Sequence, residues 1–254
     1  MIKISTKNWV LDDIETVLFD KDGTFIDLHY FWGKMTELRV LEIIKRFKLD
    51  EKLFEQLCLF LGYSVNTEKM LSDGITALYS RVKIIEIFSE KLKEIGIFIT
   101  PENLEQIFDE VSEEFYKELE KYTKPIPEAI DFIKDLRSQN VKIGIVTSDS
   151  IKSTKLTLKH FGWEYLFDVI IGRESSEFTK ESGEPTKMAL QSLMSDAATT
   201  LMIGDAPMDC ISAKNAGIEC TILVSTGQIG EQELQKHSPY VVKSLKELTI
   251  CKEL

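Results

Sequence analysis

The sequence predicts an α/β protein: a doubly wound parallel sheet into which an all-helical segment is inserted. Three observations carry this. From Pro125 onward, short apolar runs alternate with amphipathic segments of helical length, the rhythm of right-handed crossovers onto a parallel sheet covered on both faces. One more run of the same kind, Val17-Leu18-Phe19, stands far upstream. Between the two lies a stretch patterned at helical spacing with no convincing strand. The upstream strand belongs with the downstream ones, so the helical stretch interrupts a sheet domain. The expected division is residues 1–27 with 125–254 for the sheet domain and 28–124 for the helical one.

Taken in order, the sheet runs are residues 17–19, 141–147, 168–172, 200–203, 220–224 and 240–242. Helices are expected between them at 128–139, 151–161, 186–195 and 209–216. Within the insertion, Phe31, Met35, Leu38, Leu41, Ile44 and Phe47 form one apolar stripe, and Leu53, Leu57 and Leu61 a shorter one before Gly62. Leu78, Val82, Ile85, Phe88, Leu92 and Ile95 form the next, with Gly96 as a C-terminal stop. Thr100 suits an N-cap and Pro101 the first helical position, ahead of Leu104, Ile107, Val111, Phe115, Leu119 and Tyr122. Thr123-Lys124-Pro125-Ile126-Pro127 reads as a stiff return linker, with residues 25–28 its counterpart.

A chain of 254 residues, 43% hydrophobic, can bury a sizeable core. Its net charge of −11 provides no excess of Lys and Arg for neutralising a nucleic acid or an anionic membrane, so neither is expected as a partner. Cys58, Cys210, Cys220 and Cys251 lack Cys-x-x-Cys spacing, and three histidines leave little for a zinc site. They read as reduced thiols of a cytoplasmic protein, with neither signal peptide nor membrane span expected.

Parallel strands deliver their C-terminal tips to one edge, where open α/β sheets bind ligands. Asp20 and Asp22 end the first run, followed by Gly23 and Thr24. Thr147 and Ser148 end the second, Lys180 lies in the loop beyond the third, and Asp205 and Asp209 follow the fourth. Carboxylates, a hydroxyl, backbone N–H groups and an ammonium suit phosphoryl transfer to a carboxylate. A phosphate ester needs its charge neutralised, an in-line nucleophile, and a proton for the leaving alkoxide. Mg²⁺ favours oxygen ligands, which Asp20 and Asp205 supply. Lys180 adds a point charge, and Thr147 with the N–H groups near Ser148 and Gly23 adds hydrogen bonds.

These motifs resemble the four signatures of the haloacid dehalogenase superfamily, in order and across essentially the whole sheet domain. They are Phe19-Asp20-Lys21-Asp22-Gly23-Thr24, Thr147 after its apolar run, the Lys180 loop, and Gly204-Asp205-x-x-x-Asp209. The resemblance implies a Rossmann-like core with a mobile helical cap. It implies Asp20 as nucleophile forming an aspartyl-phosphate and Asp22 as general acid and then base. Mg²⁺ is implied on Asp20, Asp205 and the backbone carbonyl of Asp22, with Asp209 assisting from behind. Asp22 is the aspartate that the dehalogenases and phosphonate-cleaving members replace, which points to a C–O–P ester. The general likeness is to the phosphoglycolate-phosphatase-like branch, and the expected substrate is a small-molecule phosphate ester.

Lys187 rivals Lys180. The family's lysine stands about nine positions before a small-apolar pair, as Lys180 does before Ala189-Leu190, although Lys180-Glu181 replaces the frequent Lys-Pro. Asp149 could serve simply to cap the helix after it. His29, Tyr30, Trp32, Lys34, Arg39 and Arg81 are candidates for the leaving group's surroundings, each read by default as packed or solvated. A sugar-phosphate mutase would use the same signatures, and a receiver-like regulator shares the aspartates, hydroxyl and lysine but not the insertion. Either a monomer or a homodimer is compatible.

Overall fold

Val17, Leu18 and Phe19 are fully buried, as an apolar run paired on both sides must be. In this computed structural model, which describes residues 1–252, the strands follow in chain order. They are β1 (Ile2–Ser5), β2 (Val10–Ile14), β3 (Thr16–Phe19), β4 (Tyr63–Ser64), β5 (Lys69–Met70), β6 (Lys142–Val146) and β7 (Val169–Ile171), then β8 (Thr200–Gly204), β9 (Cys220–Val224), β10 (Tyr240–Val242) and β11 (Thr249–Lys252). The main sheet runs β10-β9-β8-β3-β6-β7, every pair parallel. Numbered within the sheet alone this is the order 3-2-1-4-5-6 of the Rossmann-like fold, and it reverses between β3 and β8. Phe19 stands opposite Ile145 on one side and Ile203 on the other. The register therefore brings residue 20, residue 147 and residue 205 to one edge.

The chain divides into two compact units, Met1–Asp27 with Pro125–Leu254, and Leu28–Lys124. The two chain segments that join them pair at an isolated antiparallel bridge between Ile26 and Pro125. In the sheet unit, helices cover Pro127–Ser138, Ile151–Phe161, Glu184–Leu193 and Pro207–Asn215. The last two begin two residues earlier than periodicity suggested. A proline near the start of each is compatible with a first turn, where its missing N–H costs nothing.

Two small sheets depart from the sequence reading. A three-stranded antiparallel sheet, β11-β1-β2, lies at the N-terminus. Ile2 and Ile4 alternate correctly, but four residues are too few to stand out, and Asp13 at φ +59° breaks the pattern in β2. The insertion also contains a strand pair, β4 with β5, of two residues each. That is below the length at which a period of two is visible.

The helical unit holds helices at Leu28–Phe47, Phe54–Phe60, Arg81–Glu94 and Pro101–Lys117. Thr100 caps the last through Oγ1 at 3.4 Å from the Asn103 N–H, and Gly96 adopts φ +81°. The first helix buries Phe31, Met35, Val40, Ile43 and Ile44, whereas Leu41 is exposed and Leu38 only half-buried. Repeated steps of three rotate a stripe by about 60° each on a 3.6-residue helix, so 35, 38 and 41 spiral off the face. Leu78 and Val82 also lie exposed: extended backbone at Tyr79 and Ser80 ends one helical turn before the next helix starts at Arg81.

Candidate active site

The crevice at the reversal between β3 and β8 gathers most of the chemistry. The Asp20 N–H donates to the Ile203 carbonyl at 2.9 Å, extending the ladder by one residue and aiming Asp20 over the β8 tip. The chain then coils back: the N–H groups of Thr24, Phe25 and Ile26 converge on the Lys21 carbonyl. Gly23 has φ +86°, and a Cβ there would collide with the Asp205 carboxylate. A Cβ on Gly227, in the loop after β9, would collide with it too. Two glycines thus let two loops close on one carboxylate.

Lys180 lies in the turn before the Glu184–Leu193 helix and is buried. Its Nζ stands 2.7 Å from Asp20 Oδ1 and 2.6 Å from Asp209 Oδ1. Asp209 sits in the first turn of the Pro207–Asn215 helix and accepts the Ala206 N–H on Oδ2 at 3.0 Å, so both of its oxygens are engaged. Lys187 instead pairs with Glu184 at 2.7 Å on the surface. The structure brings Asp20, Asp205, Asp209 and Lys180 together and leaves Lys187 outside.

Negative charge exceeds positive here. Burial above all lifts the Asp20 carboxyl; Lys180 opposes this, Asp209 and Asp22 add to it, and the result is about 6. Burial, then Asp20 and Asp209, hold Asp205 well above the usual carboxylate range. An all-oxygen donor set with surplus charge fits a hard divalent cation. Among the described residues no three His, Cys, Asp or Glu side chains form a metal cluster unaided. Mg²⁺ commonly takes one or two carboxylates and completes its shell with water and phosphate oxygens.

Asp22 is held differently, by Lys21. This lysine is fully buried, with Nζ 2.6 Å from Asp22 Oδ1 and 3.0 Å from Asp149 Oδ2. Burial disfavours its charge, but Asp149 and Asp22 outweigh that and raise its pKa above the ordinary value. Asp149 does not cap the following helix; Ser150 does, through Oγ at 3.0 Å from the Ser153 N–H. Lys21 and Asp149 were missed as a pair because they lie 128 positions apart (149 − 21) in the sequence. The signal available was a lysine inside an apolar strand exit, a position that is costly unless paired.

At the β6 tip, Thr147 Oγ1 accepts the Asp149 N–H at 3.1 Å, leaving its hydroxyl hydrogen for another acceptor. Ser148 is exposed. Gly23 does not offer the expected N–H to a ligand, because that group donates to the Ile26 carbonyl at 2.8 Å. Its contribution is space beside Asp205. Thr226, also missed, donates from Oγ1 to the Gly23 carbonyl at 2.5 Å and ties the two loops together.

In the helical unit, His29 Nδ1 accepts the Met70 N–H at 3.1 Å and Tyr30 donates to the Lys121 carbonyl at 2.9 Å. Trp32 packs edge-on against Phe31, and Lys34 pairs with Glu37. Arg39 is buried and Arg81 binds Asp109.

A family model for haloacid dehalogenase-like hydrolases matches residues 17–223. The chain belongs to that family. The pyrophosphatase PpaX of Halalkalibacterium halodurans is 26% identical over 237 residues, spanning 93% of this chain and 95% of that one. The same-named protein of Bacillus mycoides is 25% identical over 236 residues, 92% of this chain and 95% of its own. A crystal structure of a predicted phosphoglycolate phosphatase from Haemophilus somnus aligns with a TM-score of 0.70 at 16% identity, covering 93% of this chain and 97% of that one. The chain is therefore an enzyme, a haloacid dehalogenase-like hydrolase whose named relatives are phosphatases. Among the described residues no helix is long and apolar enough to cross a membrane.

Proposed function

We propose that this hydrolase releases inorganic phosphate from a small phosphomonoester by way of an aspartyl-phosphate on Asp20, with Mg²⁺ as cofactor. The observation that carries the reading is Lys180 bridging Asp20 and Asp209 beneath the β3–β8 reversal. A carboxylate nucleophile is repelled by a phosphate dianion unless cations screen it, and here one cation already touches the nucleophile. Asp20, Asp205 and the Asp22 carbonyl would hold the metal, with Asp209 behind them. Mg²⁺ there would neutralise both the surplus carboxylate charge and the phosphoryl oxygens.

Asp20 attacks phosphorus in line, the P–O bond to the leaving group breaks, and Asp22 gives that oxygen a proton. Asp22 then takes a proton from water as the water attacks phosphorus, freeing Asp20 and phosphate. Thr147, with Ser148 beside it, holds phosphoryl oxygens through hydrogen bonds. Lys21 keeps the Asp22 side chain in a single position while both steps proceed. The free thiols of Cys58, Cys210, Cys220 and Cys251 suit a reducing compartment, and we place the enzyme in the cytoplasm.

Inorganic pyrophosphate is a second reading, favoured by the relatives named pyrophosphatase over more than nine-tenths of the chain. A phosphate leaving group needs less help from an acid than an alkoxide does. Asp22→Asn separates the two: it cuts ester turnover by about 10²–10⁴-fold and pyrophosphate turnover much less. A screen of phosphorylated metabolites and pyrophosphate, read by phosphate release with Mg²⁺ and with EDTA, tests the proposal. Undiminished turnover in EDTA after metal removal overturns it. Conversion of a sugar phosphate to its isomer without phosphate release identifies a mutase instead.

A further inference from the structure

Arg39 is a buried cation without a carboxylate. It lies midway along the Leu28–Phe47 helix and is 9% exposed. Its guanidinium stacks over Phe108 at 4.3 Å, and Nη2 reaches Ser112 Oγ at 3.4 Å, a hydroxyl already donating to the Phe108 carbonyl at 2.6 Å. The Nε–H is buried with no partner.

A second cation stands close by. Arg81 binds Asp109 Oδ1 at 2.7 Å and the Glu105 carbonyl at 3.4 Å, and its Nε–H is also buried and unpartnered. Arg81 is the first residue of a 14-residue helix, where a cation opposes the helix dipole. Ser80 makes no side-chain cap there, and the first turn has no acidic residue. Against two guanidinium groups and a helix N-terminus stands Asp109, whose side chain is 62% exposed. Burial, then the charge of Arg81, pulls the Arg39 pKa down to about 9.

Packing alone does not account for this. Stacking on an aromatic ring returns only part of what taking the charge out of water costs. A leucine would fill the space without that cost. Two buried guanidinium Nε–H groups that the protein leaves without an acceptor mark a site whose acceptor comes from outside.

We propose that Arg39 and Arg81 form an anion site inside the helical unit that takes a phosphate-class oxyanion, with Ser112 holding the Arg39 guanidinium in place. Two guanidinium edges and free helix N–H groups match the several acceptor oxygens of such a group. Every residue involved lies within Leu28–Lys124, and the inference does not rest on the reaction proposed for the carboxylate crevice. The anion is either free inorganic phosphate or the phosphoryl group of a metabolite.

Hydrogen exchange on the full-length protein, with metal held constant, reads the site locally at the start of the Arg81–Glu94 helix. One arm titrates inorganic phosphate. The other titrates glycerol 3-phosphate in an Asp20→Asn variant, so that turnover does not supply phosphate. Slowed exchange at residues 82–84 with phosphate identifies the free ion; slowing only with the ester identifies a phosphometabolite. In either case Arg39→Leu weakens the response by at least about tenfold, the worth of one charge-assisted pair. Arg39→Leu also melts no lower than the parent in anion-free buffer, since it removes an unpaired buried charge. Unchanged exchange in both arms overturns the proposal. So does an Arg39→Leu variant that melts lower yet responds to the anion as the parent does, because Arg39 is then a packing residue.

Discussion

Replacing Lys180 and Lys187 in parallel by methionine tests the electrostatic core of the site. Lys180 Nζ is 2.7 Å from one carboxylate oxygen and 2.6 Å from another, with the three side chains between 2% and 12% exposed. At an effective dielectric near 20, a contact of that length is about 6 kcal/mol of gross attraction, much of it offset by desolvation. Removing the cation leaves buried carboxylates facing one another, which costs about 3–5 kcal/mol. For a chain of this size that lowers the melting temperature by roughly 6–20 °C, at about 2–4 °C per kcal/mol. Lys187 and Glu184 are 42% and 45% exposed, and such a pair contributes only about 0.3–0.5 kcal/mol, or about 1–2 °C. Thermal unfolding measures the first difference. Release of p-nitrophenol from its phosphate with Mg²⁺ measures the second, in which Lys180→Met loses nearly all turnover and Lys187→Met keeps it. Greater damage from Lys187→Met in both assays refutes the placement of Lys180 against the reacting group.

Asp20→Asn should abolish turnover while circular dichroism stays unchanged, because the amide keeps the size and one acceptor oxygen but not the nucleophile; more than trace phosphate release counts against the covalent route. Asp20 and Asp205 titrate above their ordinary range, so between about pH 4 and pH 6 the native state binds more protons than the unfolded chain, and metal-free stability falls as pH rises through that window. With the ionised carboxylates as its proposed ligands, Mg²⁺ should raise the melting temperature more near pH 7 than near pH 5; the reverse order is incompatible with these groups as its ligands. Lys21→Met should cost about 3–5 kcal/mol in urea unfolding by stranding Asp22 and Asp149, and Lys21→Met with Asp149→Leu should recover much of it. Strict additivity of the two changes would mean the pair does not interact.

Elements whose signal is local were legible in the sequence. Phe19 ends an apolar run, and Asp20 and Asp22 follow at once; no tertiary information is needed to see that a parallel strand ejects them at its tip. Thr100, Pro101 and Gly96 likewise announce helix ends through the chemistry of single residues. What failed depended on summing weak signals. The stripe through Leu38 and Leu41 drifts around the first helix, and a pattern that steps by three cannot reveal which residues the neighbouring helix covers. Strands of two residues, Tyr63–Ser64 with Lys69–Met70, exist only because each supplies the other's hydrogen bonds.

At the candidate site the division is between positions and partnerships. Strand order and register place Asp20, Thr147 and Asp205 at one edge, and each is recognisable from its own neighbours in sequence. Lys21 is not, because its meaning lies in Asp149. An ammonium with no exposure persists only if two carboxylates meet it, and neither its strand nor its turn provides the second one. The same holds for Gly23 and Gly227. Each looks like turn punctuation until Asp205 is seen to occupy the space a Cβ would take. Asp205 is thereby walled by backbone on two sides, dry, and carrying more negative charge nearby than Lys180 can balance. A carboxylate so enclosed is poorly placed to be solvated and well placed to be neutralised by a small, hard cation entering with the substrate. Gly227→Ala tests this directly: its Cβ must displace the Asp205 carboxylate, so Mg²⁺-dependent stabilisation should be lost while the Lys180 contacts to Asp20 and Asp209 remain. Unaltered stabilisation by Mg²⁺ in that variant would show that Asp205 is not where the cation is held.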